Sequence, residues 1–318
     1  MPPITVTLYE LDAEVADTML SDLKSLPKLQ IGNFSLELEV GDLPPTLEDV
    51  AKDELRESKD VQTEAIDRLR EMLKDLPDLK TPYHSNTWLI RFLRPCKYYP
   101  ESALKLIQRY YQFKLDNHQY YNNLIPSKEK NVFDHDILTV LPKRDQHGRR
   151  VLVIELGKRW KYNKCTLDEI FKGCVLYLEA ALLEPATQVA GAVVIFDMDG
   201  LSLPQTWQFT PSFAKRIVHL IQDCIPCRLK GLHVINEPSL FKVVFALFKP
   251  FLNEKLKKRI VFHGTDRKSL HQYLSPDCLP QQYGGNLEIP RITGPDWWNL
   301  LCICEEEYKV INSYGYKK

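Results

Sequence analysis

From residue 46 to residue 76 apolar and charged positions recur at the three- and four-residue spacing of amphipathic helices. Leu55, Val61, Ile66, Leu69, Met72 and Leu73 are set to face a shared core. A second helical pair is predicted over 87–93 and 100–115, the latter opened by Pro100 with Glu101 beside it. Residues 46–125 therefore read as an N-terminal helical subdomain. After Asp134 the period changes. Short runs rich in Val and Ile at 151–156, 192–198, 232–235 and 260–262 read as buried strands. Helical patterns at 167–183, 211–221 and 238–248 lie between them. Strands alternating with helices predict an α/β fold, a mostly parallel sheet with flanking helices over 130–290. The polar turn 145–148 joins the run 137–141 to the first of these strands.

The flanks are less patterned. Residues 1–45 read as a poorly anchored lead-in punctuated by Pro2, Pro3, Pro44 and Pro45. Residues 291–318 form a tail whose Trp297, Trp298 and Leu300 suit a short helix packing back on the body.

Charge narrows the function classes. Lys and Arg number 42 and so do Asp and Glu, whereas a nucleic-acid binder is usually basic, so no nucleic-acid partner is expected. The longest apolar stretch, 240–252, is interrupted by Lys242, Lys249 and Pro250, and falls short of the roughly 18 residues of a membrane span. The first ten residues lack the pattern of a secretory signal. A cytoplasmic protein is expected. Cys224 and Cys227 have zinc-like spacing, but Cys302 and Cys304 do not supply the second pair a structural site needs. Free thiols and no metal are expected.

Catalytic signatures are missing. The chain has no G-x-S-x-G elbow, no P-loop and no G-x-G-x-x-G after a strand. Asp197 and Asp199 follow a strand and precede Gly200, where active sites of α/β folds gather. They suit either a carboxylate pair or the capping of a turn's amides. No acid partner lies nearby in sequence, so no catalytic residue, no enzyme activity and no cofactor are expected.

Residues 228–264 carry more. Asn236 and Glu237 with Pro238 form a helix start. The stretch that follows is apolar on nearly every side, with Leu240, Phe241, Val244, Phe245 and Phe248 among its members, and it runs into Lys255, Lys257, Lys258 and Arg259. That composition suits a buried core helix with a solvated end. It equally suits an element that lies in a membrane interface beside a cationic cluster. Arg228 and Lys230 precede the strand at 232–235 and alternate onto one side. If they meet Lys255 and Arg259, the cations converge on a site fit for a multiply phosphorylated headgroup.

Several segments together resemble the CRAL-TRIO lipid-transfer family, its tocopherol-transfer branch most closely. They are Phe92-Leu93-Arg94, the run from Ile195 to Gly200, the run from His233 to Pro238, Lys249-Pro250-Phe251-Leu252, His263-Gly264 and the run from Leu279 to Gly285. The resemblance implies a helical bundle followed by an α/β domain whose sheet floors a closed apolar pocket. It implies a gate helix over that pocket, matching residues 238–248. The phosphatidylinositol bisphosphate-binding positions of the tocopherol-transfer branch fall on Arg228, Lys230, Lys255 and Arg259. Pocket positions fall on Phe171, Cys174, Val175, Leu178, Phe196, Phe209, Ile217, Leu220, Ile221 and Leu232. Two places that hold serines in the tocopherol carrier read Cys174 and Leu178 here, which weakens tocopherol (vitamin E) itself as the ligand. The retinoid-binding relatives resemble this chain too, but use an acidic residue where it has Phe196. The expected protein is a carrier of one hydrophobic lipid, tocopherol-like or another isoprenoid. Its expected partners are that lipid and phosphoinositide-containing membranes, endosomal or other, which it visits peripherally. The alternatives are a phosphoinositide-binding trafficking adaptor and a retinoid carrier.

Overall fold

The computed structural model describes residues 28–317. The described part of the expected lead-in is packed rather than loose. Leu29–Ile31 pairs antiparallel with Phe34–Leu36, and Leu36 is buried in the main core. Residues 1–27 lie outside the described residues.

Helices α1 (Pro45–Leu55), α2 (Lys59–Lys74), α3 (Asn86–Leu93) and α4 (Pro100–Asp116) follow. The last three enclose one core around Leu69, Leu89, Leu93 and Ile107. The first does not join them. Leu47, Ala51 and Leu55 pack instead on Ala186, Val189 and Ala190 of the α/β body. The chain turns out of α1 through Arg56, whose φ of 63° is a left-handed stop. Leu55 thus faces a different core from Ile66 and Leu69, contrary to the shared core that periodicity predicts.

Strands β1 (Leu138–Val140), β2 (Arg150–Glu155), β3 (Ala192–Asp197), β4 (Leu229–Ile235) and β5 (Ile260–Phe262) form one sheet in chain order. The first pair is antiparallel and the others parallel, which requires long crossovers. Those crossovers carry α5 (Leu167–Leu183), α6 (Pro185–Ala190), α7 (Pro211–His219) and α8 (Phe241–Phe248). A four-residue helix, α9 (Glu254–Lys257), leads into β5.

Side chains alternate across a strand, so each strand contributes to two faces. Val151, Val153, Val193, Ile195 and Ile235 pack solidly against Leu270, Leu274, Leu279 and Tyr283. Leu152, Ile154, Val194, Phe196, Leu232 and Val234 point the other way, toward the helices. The tail forms α10 (Gly294–Ile303) and α11 (Glu305–Ser313). It is tied down by the Trp297 indole donating to the Val140 carbonyl at 2.9 Å and by Gly315–Tyr316 pairing with Leu79–Lys80.

Candidate functional site

Thr166 starts α5 with a capping box: its hydroxyl accepts from the Glu169 amide, and the Glu169 carboxylate accepts from the Thr166 amide. Thr210 caps α7 by its hydroxyl alone, which accepts from the Phe213 amide. These helices and α8 roof the second face of the sheet and leave a cavity of about 250 Å³. Its walls include Phe171, Cys174, Leu178, Phe196, Phe209, Ile217, Leu220, Ile221 and Leu232, all named from sequence. Val175 is the exception. It lies on the flank of the α5 stripe and is packed in solid core.

The gate segment starts later than its Asn-Glu-Pro signal suggests. Leu240 is the cap of α8 and stands outside the cavity wall, while Phe241, Val244, Phe245 and Phe248 line it. Asn236 is used elsewhere. Its amide donates to Asp197 at 2.8 Å and its carbonyl accepts from Arg267 at 2.8 Å. The outer side of α8 presents Val243, 58% exposed. The turn Leu203–Thr206 packs against α8 and adds Leu203 and Trp207, the latter 70% exposed. Exposed apolar side chains clustered around a cavity cover are a mark of an interaction surface.

The other end of the cavity is sealed by charge. Arg150, at the start of β2, donates to the Glu184 carboxylate at 2.6 and 3.0 Å. Arg144, Thr187 and the Glu39 amide also donate to Glu184, at 2.9, 2.7 and 3.0 Å. These donors, the Arg150 charge foremost, outweigh burial and hold the Glu184 carboxyl down at about 2. No sequence pattern announced this cluster, beyond an arginine beginning a strand. Leu38 of the lead-in and Trp297 of the tail also reach the wall, from segments whose reach no local period shows.

A basic patch lies at the N-terminal rim of the sheet. Parallel pairing puts the residues before β4 and β5 side by side. Arg228 lies close enough to Arg259 to help burial lower the Arg259 pKa. The Arg259 guanidinium donates to the Leu229 carbonyl and that of Arg228 to the Val189 carbonyl. Arg228 and Lys230 both pair with Glu54 of α1, the lysine at 3.0 Å. Their hydrogen bonds, from Arg228 first, lower the Glu54 pKa to about 2. Lys255 is exposed on α9, one helical turn before Arg259. The structure therefore gathers Arg228, Lys230 and Arg259 and leaves Lys255 on an adjacent projecting helix. Glu54, which sequence reasoning missed, sits among the cations because α1 docks on α6.

The Asp197 and Asp199 carboxylates do different jobs. Asp197 accepts from the Asp199 amide at 3.0 Å, as a turn cap does, and Asp199 pairs with Lys158.

A mostly parallel sheet roofed by helices so as to leave an apolar cavity defines a lipid-binding class of α/β protein. Comparison with known proteins agrees. Residues 134–285 match the model of the CRAL/TRIO domain. The chain is 36% identical over 259 residues to "Alpha-tocopherol transfer protein-like" of Homo sapiens, a match spanning 81% of this chain and 74% of that protein. It is 32% identical over 253 residues to Clavesin-1 of Rattus norvegicus, spanning 79% and 71%. The crystal structure of Sfh5 superposes with a TM-score of 0.50 at 16% identity, over 76% of this chain and 92% of that one, a likeness of fold. The chain belongs to the CRAL-TRIO lipid-binding and transfer family.

Proposed function

We propose that this protein is a non-catalytic carrier that encloses one hydrophobic lipid of isoprenoid type and exchanges it with membranes that display phosphatidylinositol bisphosphate. The apolar cavity under α8 carries the reading. Burying a lipid there removes its apolar surface from water at about 25 cal/mol per Å². The exposed Val243, Leu203 and Trp207 around the cover support contact with a bilayer. Arg228, Lys230, Arg259 and Lys255 would meet the headgroup phosphates, since α9 and the strand starts lie just beyond the gate. A headgroup opens the gate only if it binds the open state better than the closed one.

The test is mass spectrometry of lipids extracted from the purified protein, before and after incubation with liposomes containing phosphatidylinositol bisphosphate. The expected result is one dominant isoprenoid lipid, depleted by those liposomes and retained against neutral ones. A lipid that never exchanges would end the transfer reading in favour of a phosphoinositide-binding trafficking adaptor.

A further inference from the structure

The cavity wall is chemically one-sided. Among the described residues, Arg150 and Glu184 are the charged side chains that reach it, and each is spent on the other. The remaining acceptor capacity of Glu184 goes to Arg144, Thr187 and the Glu39 amide. Tyr177 reaches the wall too, and its hydroxyl donates to the Leu138 carbonyl at 3.2 Å. The Trp297 indole N–H at the wall is spent on the Val140 carbonyl at 2.9 Å, and Cys174 and Cys227 complete the polar inventory as thiols, which burial pushes up to about 12 and so keeps neutral. A thiol is a weak donor and a weak acceptor. Backbone groups of the floor are taken up by the ladders of a parallel sheet.

Water does not repair the deficit. A bridging water needs two to four polar partners, and an apolar cavity of about 150 Å³ stays dry while accepting benzene. A cavity of about 250 Å³ with this wall has the same character and more room. A ligand hydroxyl, carbonyl or headgroup placed inside would therefore lose its hydrogen bonds to water and gain none.

We infer that the enclosed part of the ligand is pure hydrocarbon: the cavity selects an unsubstituted isoprenoid or sterol-like chain over the alcohol, phenol or aldehyde of the same skeleton. The inference rests on the carrier reading above and narrows it. An unpartnered hydroxyl inside protein is penalised enough to give a discrimination of about tenfold or more, each factor of ten being about 1.4 kcal/mol.

The experiment uses the full chain and matched lipid pairs that differ by one hydroxyl: phytol with phytene, retinol with deoxyretinol, cholesterol with 5-cholestene. Each pair is offered at equal amounts in phosphatidylcholine vesicles, the protein is re-isolated, and bound lipid is quantified by mass spectrometry against the vesicle composition. The hydrocarbon member enriched about tenfold in at least one pair is the expected result. Equal recovery, or enrichment of the alcohol, overturns the inference while leaving a carrier in place. Recovery of neither member from any pair sinks the carrier reading, and the inference with it.

Discussion

Val193 and Val194 are neighbours on β3 and share one backbone environment, yet Val193 is 1% exposed in solid packing while Val194 lines the cavity. The same division runs through β2 and β4. Strand residues cannot be its cause, since both faces are equally rich in Val, Ile and Leu. The difference lies in what covers them. The closed face meets the short segment Arg267–His271 and the loop that follows it, which can settle residue by residue onto the strands. The hollow face is roofed by α5, a helix of 17 residues held from outside. Tyr308 donates to the Leu176 carbonyl at 2.7 Å and the Tyr110 hydroxyl donates to the Glu179 carboxylate. A rigid rod tethered on its outer side cannot sag into the space beneath it. Hollowness here is a property of the cover.

The strongest way to break this comparison is at the sealed end of the hollow face. Glu184→Gln leaves Arg150 and Arg144 facing a neutral amide in a buried site, 1% exposed at residue 184. Removing one partner of such a pair costs about 3–5 kcal/mol. The pH signature has a definite sign. The folded carboxyl sits at about 2, below its ordinary value of 4.5, so the stability it contributes is present above 4.5 and is lost as pH falls toward 2. Urea titrations of wild type and Glu184→Gln between neutral pH and pH 3 should converge as pH drops. A constant gap would mean the substitution acts through packing rather than charge.

A matched pair of substitutions tests the faces directly. Val193→Ala opens a new void in packed core and should cost about 2 kcal/mol. Val194→Ala only enlarges space that already exists, so its cost should stay below about 1 kcal/mol. Equal losses in denaturant midpoint would show the cavity to be collapsed in solution.

The closed face also holds a titrating pair that solid packing keeps neutral. His233 Nδ1 lies 2.9 Å from His263 Nε2, whose Nδ1 lies 2.7 Å from the Ser269 hydroxyl. Burial first, then His263 and Arg149, hold the His233 pKa down at about 4. The unfolded chain takes this proton near 6.5 and the folded chain refuses it, so stability should fall as pH drops from 6.5 toward 4. The slope is at most about 1.4 kcal/mol per pH unit. His233→Gln should flatten it between pH 6.5 and 5, the range above the carboxylate transitions. An unchanged slope there would assign the acid sensitivity to other groups.

What could be read from the sequence follows the range of each interaction. Val- and Ile-rich runs placed β2 to β5 and helical periodicity placed α5, because both signals are local, whereas Phe171, Cys174 and Leu178 reached the cavity wall through the family resemblance. Val175, carried over by the same resemblance, borders the lining stripe of α5 by one helical step and falls in packed core. The Asn-Glu-Pro start at 236–238 pointed to a helix three residues early, since Asn236 takes distant partners in Asp197 and Arg267. Glu184, Glu54 and Leu38 went unseen, and Trp297 was read as packing on the body but not as cavity wall, for one reason: each acts on a partner or wall from a separate segment, and nothing near it in sequence marks the meeting.

Glu54 gives the smallest effect and the sharpest contrast between the dry cavity and the wet rim beside it. Its pairing with Arg228 and Lys230 is half exposed, 49% for the Glu54 side chain, and pairs of that kind contribute at most about 1 kcal/mol. Stability of Glu54→Gln should therefore lie within about 0.5 kcal/mol of wild type. Binding should respond in the opposite direction. If the headgroup docks as proposed, the carboxylate that accepts from Arg228 and Lys230 competes with its phosphate, and releasing it exposes cations worth about 1 kcal/mol each near an anionic surface. Sedimentation with vesicles containing phosphatidylinositol bisphosphate should show Glu54→Gln binding about fivefold more tightly, with neutral vesicles unaffected and the gain shrinking at high salt. Unchanged binding would place the headgroup away from Arg228 and Lys230, leaving Lys255 and Arg259 as its contacts. Weaker binding would mean that Glu54 orders these cations for the phosphates instead of competing with them.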